Sequence, residues 1–183
     1  LKELYPDVPV ILGGIEASLR RVTHYDYWKD ELRKCILYDA GADMITYGMG
    51  EKVTTELTRL LDAGKTIEEI DTLPQTVIIR KENDIPGGIT DNDIILHPHE
   101  ECLKDKKAQA ENFRHIEEES NRIHAQRILQ KTGDMWTIVN PPYPTMTTEE
   151  LDRTHSLPFT RLPHPKYKDK RIPAYEMIKH SVN

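Results

Sequence analysis

Acidic, basic and aromatic side chains crowd into one short stretch behind a pair of glycines. Gly13-Gly14 is followed by Glu16, Arg20, Arg21, His24, Tyr25, Asp26, Tyr27 and Trp28. A second glycine turn, Gly48-Met49-Gly50, leads straight into Glu51. Together these residues form an inventory for gripping a polar ligand or a neighbouring domain. Glycine lets backbone N–H groups approach an anion or cofactor at a helix start, or it simply makes tight turns. The charged and aromatic cluster has an equally ordinary reading, a polar network bracing an irregular loop. Residue types alone leave both choices open. Neither turn is a nucleotide fingerprint, because GxGxxG is absent and GMGEKVTT lacks phosphate-loop spacing, so Lys52 and Thr54 do not indicate an ATPase.

The elements that must position these residues are short. Val8–Leu12 is an apolar run broken only by Pro9, and Met44–Tyr47 is a second. Strand-like runs separated by helix-length segments predict parallel strands joined by right-handed crossovers. Ligands in such sheets sit beyond the carboxyl ends of the strands, where the two glycine turns are expected side by side. Between them, Ile15, Leu19 and Val22 are spaced for one helical face, His24–Trp28 is poor helix material, and Lys29–Tyr38 resumes helical spacing up to a Gly41 cap.

Glu51–Ala63 is predicted to be a helix, since Val53, Leu57, Leu60 and Leu61 form one apolar stripe. Thr66 and Glu69 fit a capping box that opens a short turn. Thr76–Arg80 and Asp93–His97 read as strands, with pairing between them expected around the acidic Gly87-Gly88 turn. Glu100–Lys131, almost free of glycine and proline, is predicted to be one long helix with a thin Phe113, Ile116, Ile123, Ile128 stripe. Met135–Val139 is expected as a last strand. His97, His99, Glu100 and Cys102 carry metal-ligand types at a spacing that matches no named zinc pattern, so they read as polar residues at a strand end.

Seven of the 12 prolines fall between Pro141 and Pro173, which predicts an extended strap with one helical turn near Thr148–Arg153. The organisation expected is thus an α/β domain over residues 1–140 and a Pro-rich strap over 141–183. Two lone cysteines, Cys35 and Cys102, argue against a disulfide framework and fit a reducing cytoplasm. The net charge of −6 makes nucleic-acid binding an unlikely main task, and no apolar run is long enough for a membrane span. The start lacks signal-peptide character, and both ends read as if cut from a longer protein.

At GGIEASLRRVTHYDYW and ADMITYGMGE the chain resembles the YgiQ-type radical S-adenosylmethionine proteins, a bacterial group labelled Fe–S oxidoreductases. The resemblance continues through NPPYPTMTTEELD, LPFTRLPHPKY and RIPAYEMIKHSV. More distantly, the first part is similar to the later half of a cobalamin-binding-type Rossmann domain. The resemblance implies a partial Rossmann-like α/β domain with a mainly parallel sheet and flanking helices. It implies that the parent uses a [4Fe-4S] cluster and S-adenosylmethionine, held by a cysteine loop expected just past AYEMIKHSVN. On that reading this fragment holds no cofactor and has no catalytic residue. Its partner would be the radical SAM barrel of the same polypeptide, and the glycine turns and the Glu16–Trp28 stretch would meet substrate or dock that barrel. The Asp-x-His-x-x-Gly loop of cobalamin domains is absent, so cobalamin use by the parent stays open. Two alternatives remain: an autonomous nucleotide- or cobalamin-binding module, and a structural interaction domain.

Overall fold

The computed structural model describes residues 2–160 and 162–181. Arg161 and Val182, which fall within the strings quoted above, lie outside the described residues. The chain divides into two compact units, Leu1–Thr145 and Met146–Asn183.

The first unit is an α/β domain. Its elements are β1 (Ile11–Leu12), α1 (Gly14–Leu19), a hairpin of β2 (His24–Asp26) and β3 (Glu31–Arg33), α2 (Ile36–Ala40), β4 (Met44–Thr46) and α3 (Glu51–Asp62). There follow β5 (Thr76–Lys81), β6 (Ile94–Leu96), α4 (His99–Cys102), α5 (Lys106–Ser120), β7 (Ile128–Thr132) and β8 (Met135–Val139). Six strands form one sheet in the order β1-β4-β5-β8-β7-β6, with β2 and β3 standing apart as a two-stranded ribbon.

The α/β class, the central sheet and the flanking helices are as the sequence predicts. The sheet itself is mixed. β1 pairs with β4, and β6 with β7, in parallel, while the three inner pairings are antiparallel. Helical connections join both parallel ladders and also the antiparallel β4–β5 pair, whereas β7 and β8 form a hairpin that turns through Gly133-Asp134. β5 does not pair with β6, contrary to expectation. β5 lies between β4 and β8, and β6 sits at the far edge on β7. The run MWTIV explains this: Trp136 and Ile138 feed one core while Val139 feeds the other, so β8 belongs at the centre.

Side-chain alternation divides the core between the two faces. Met44, Ile78, Leu129 and Ile138 pack with Val53 and Leu57 of α3. Their sequence neighbours Ile45, Val77, Ile128 and Val139 pack with Ala17, Leu37 and Leu96 on the opposite face.

Three helical expectations are corrected. Ile15 and Leu19 are 80% and 68% exposed, and Ala17 is the buried residue of α1. Lys29–Tyr38 is not a continuous helix, because Asp26 accepts from the N–H groups of Trp28 and Lys29 and turns the chain into a hairpin. Helix resumes only at Ile36 and ends at Gly41, which takes the left-handed cap expected of it. The long helix predicted over Glu100–Lys131 stops at Ser120. Its buried face is Ala108, Asn112 and Glu119, and Ile128–Thr132 joins the sheet, where both faces bury apolar side chains; that packing outweighs local helix propensity.

The second unit contains α6 (Thr148–His155), a short 3-10 turn at Pro165–Tyr167 and α7 (Pro173–Ile178). A reciprocal Thr147–Glu150 capping box starts α6 and lets it run beyond the single turn predicted.

Two expectations concern stability. Ile138 is fully buried at the centre of the sheet, so Ile138→Ala should cost about 2–5 kcal/mol in urea unfolding. His97 lies between Glu111 at 2.8 Å and Glu101 at 3.1 Å, and these carboxylates, Glu111 foremost, raise its pKa above 6.5. Its stabilising contribution is therefore complete below pH 6.5 and fades as pH rises through the elevated folded value. Melting temperature should fall across that window in low salt, and His97→Asn should flatten the decline.

Candidate functional site

The two glycine turns stand side by side. In the β1–β4 ladder Ile11 is opposite Met44 and Leu12 opposite Ile45, so both chains leave the sheet at the same edge. The approach is close: a Cβ on Gly13 would lie 3.2 Å from the Thr46 hydroxyl. Gly48, with φ +68°, donates its N–H to Ser18 Oγ of α1 at 3.2 Å, which ties the second turn to the first crossover. Gly50 is the N-cap of α3 and Glu51 its first residue. An acidic residue suits that helix end, although Glu51 Oε2 is buried with no hydrogen-bond partner.

Gln75 organises this rim. Its side-chain amide donates to the Tyr47 carbonyl at 2.7 Å and to the Met49 carbonyl, and its Oε1 accepts from the Tyr143 N–H at 3.4 Å. Its backbone N–H donates to the Pro141 carbonyl at 2.8 Å, and its own carbonyl accepts from the Tyr47 N–H at 3.2 Å. Gln75 holds φ +65°, a conformation that is uncommon for a residue with a side chain. Asn140 fastens the next loop, donating to the Asp71 carbonyl at 2.8 Å and to Thr76 Oγ1 at 3.0 Å. Tyr47 donates its hydroxyl to the Asn140 carbonyl at 2.5 Å, and burial pushes its pKa up to about 12.

Beneath the rim is a cavity of about 280 Å³ bordered by Ser18, Arg21, Tyr47, Glu119, Gln126 and Val139, among others. Arg21 stacks over the Tyr47 ring at 5.2 Å and donates to the Ser18 carbonyl at 2.6 Å. Burial lowers its pKa, against the attraction of Tyr47 and Glu117.

The sequence-predicted cluster does not form one surface. Gly13, Gly14, Gly48, Gly50, Glu51 and Arg21 belong to the rim or its cavity. Arg20 bridges Glu16 at 2.7 Å and Asp26 at 3.9 Å, and with the Asp26 turn this is a brace for the hairpin. His24 is half-buried; its Nδ1 faces the Val22 carbonyl at 3.1 Å, and burial lowers its pKa. Tyr25 donates to Asp30, while Tyr27 and Trp28 stack edge to face and are 75% and 86% exposed. Among the described residues none of these three aromatics is hydrogen-bonded to or stacked on the rim. The β3 side of the hairpin instead borders a recess with His99, Glu100 and Gly133, at the opposite end of the sheet.

His99 Nδ1 lies 3.0 Å from Thr23 Oγ1, and Cys102 is buried against Asn112, whose amide donates to its sulfur at 3.1 Å. Among the described residues no cluster of three or more His, Cys, Asp or Glu could hold a metal ion, and no helix is long and apolar enough to cross a membrane.

Sequence reasoning missed Gln75, Tyr47, Ser18, Asn140 and the α5 residues. For Gln75 the available signal was its place directly after Pro74, between a helical turn and a strand, where a tight turn is needed.

A family model described as Radical SAM N-terminal matches residues 1–181. The chain belongs to the radical SAM N-terminal family. It is 57% identical over 194 residues to a UPF0313 protein of Bacteroides thetaiotaomicron, covering all of this chain and 31% of that protein. It is 55% identical over 187 residues to a UPF0313 protein of Porphyromonas gingivalis, covering all of this chain and 29% of that one. Against the UPF0313 protein YgiQ of Escherichia coli the identity is 38% over 236 residues, with all of this chain and 32% of the relative covered. The chain thus spans about a third or less of these relatives, as expected of a fragment of a longer family member. No solved structure matches it.

Gln75→Ala removes three side-chain hydrogen bonds from a buried position and leaves two carbonyls and one N–H without that partner. Urea unfolding should show a loss of about 2–3 kcal/mol.

Proposed function

We propose that this chain is the substrate- or barrel-facing part of a radical SAM iron–sulfur enzyme whose complete form cleaves S-adenosylmethionine reductively. Membership of the radical SAM N-terminal family supports the enzyme class. The observation that carries the local role is the rim, where the parallel β1–β4 ladder sets two glycine turns over a cavity. Carboxyl ends of parallel strands are where open α/β sheets receive ligands or adjoining domains.

The residues present do not fit the iron–sulfur cluster itself. A cluster is held by several cysteine thiolates, and the chain has only Cys35 and Cys102. Both are buried, and burial raises both pKa values, that of Cys35 to about 12, so neither is a ready thiolate. The cluster ligands are therefore assigned to other parts of the complete protein. Within this chain the role is recognition: Arg21 supplies positive charge, Tyr47 and Gln75 fix the loops, and α3 starts at the rim.

Anaerobic iron–sulfide reconstitution tests the assignment. The 183-residue chain should remain without cluster absorbance, while the full-length protein should acquire it. A stable cluster on this chain, or none on the full-length protein, overturns the reading.

A further inference from the structure

Arg21 is a half-buried cation with no ion pair among the described residues. Arg20 pairs with Glu16, Arg33 with Asp39, and Arg127 with Asp93 through both Nε and Nη2. Among the described residues Arg21 has the Ser18 carbonyl as its acceptor and the face of Tyr47 beneath it. Among the described residues no carboxylate comes within the 4.0 Å of an ion pair with it. A half-buried charge without an ion-pair partner is a ready place for a counter-ion.

The cavity beside it offers space for one. Its volume of about 280 Å³ lies close to the lower bound for small-molecule sites, roughly 300 Å³. Ile128, Val139 and Pro142 make an apolar wall, and Arg21, Glu119 and Gln126 stand among the polar groups around it. Glu119 is already occupied: Oε1 pairs with Arg122 at 2.6 Å and Oε2 accepts from the Gln126 N–H at 2.6 Å. The carboxylate in the cavity is thus not free to neutralise Arg21.

Charge count selects the ligand. Glu117 acts on Arg21 from beyond contact distance and Glu119 faces the same space, so the net attraction for an anion is modest. The desolvation cost, which grows with the square of the charge, then weighs more heavily on a doubly charged phosphate than on a single charge. A carboxylate matches the planar guanidinium with two oxygens, and the apolar wall accommodates a hydrocarbon body. We propose that this cavity binds a small organic monocarboxylate, its carboxylate on Arg21 and its apolar part against Ile128, Val139 and Pro142. That the bound acid is the substrate rests on the rim reading above, whereas binding itself requires no cluster.

The test follows the Arg21 Nε–H resonance of the 183-residue chain by NMR during titration with hexanoate, hexanol and inorganic phosphate. Hexanoate should shift it saturably and bind at least about tenfold more tightly than hexanol or phosphate, the loss expected when a charge-assisted contact goes unmade. Arg21→Gln, followed through neighbouring amides, should abolish the preference for hexanoate over hexanol. Since that change also removes the contact with Tyr47, a second variant keeps the test decisive. Ser120→Phe, at an exposed position on the cavity border, should weaken hexanoate about tenfold with an unchanged melting temperature. No saturable shift, equal binding of hexanol, preference for phosphate, or undiminished hexanoate preference in Arg21→Gln would each overturn the proposal. None of those results alters the cluster-reconstitution outcome, so the two readings fail separately.

Discussion

A single buried amide holds the rim of this domain together. Gln75 sits where the chain enters the sheet and presents donors and acceptors to two segments at once, Tyr47–Met49 and Pro141–Tyr143. Buried polar groups are costly unless paired, and a fully paired network specifies one arrangement of the loops that share it. The left-handed backbone at this residue is sustained by that surrounding network. With the Tyr47 hydroxyl bond to the Asn140 carbonyl, this network fixes the glycine turn of β4 against the exit of β8.

The mixed sheet suits this duty. It has a parallel ladder at each edge and an antiparallel centre with an apolar core on each face, interrupted by the buried Gln130 and Thr137. Other polar groups gather at the two ends. One end has the Gln75 network, Asn140 and the Arg21 cavity. The other has His97 between two carboxylates and the hairpin recess.

Much of the scaffold was legible in the sequence because it rests on local signals. The Val53–Leu61 stripe marks α3, the glycines mark the ends of β1 and β4, and Gly41 marks the end of α2. The corrections have one physical origin, tertiary burial overriding local pattern. Ile128 read as part of a helical stripe and Leu129 as part of the same helix, yet each is buried on a different face of the sheet. Leu32 read as helical, yet one Asp26 turn makes it part of a hairpin. Of the candidate site, the convergence of the glycine turns was readable from strand polarity. The division between Arg21 and the aromatic hairpin was not, because adjacency in sequence does not encode which end of a sheet a loop visits. Gln75 was invisible for a related reason: its partners Tyr47, Met49, Pro141 and Tyr143 come from two segments far from it in the chain.

The rim depends on the Gln75 side chain being locked inside it, and the NMR signals of that side chain report this directly. The two Gln75 side-chain amide protons should exchange slowly with solvent, resonate away from the positions of exposed glutamines, and show through-space contacts to Met49 and Tyr143. Amide protons that exchange as fast as those of a surface glutamine, with no contacts to either segment, would contradict it.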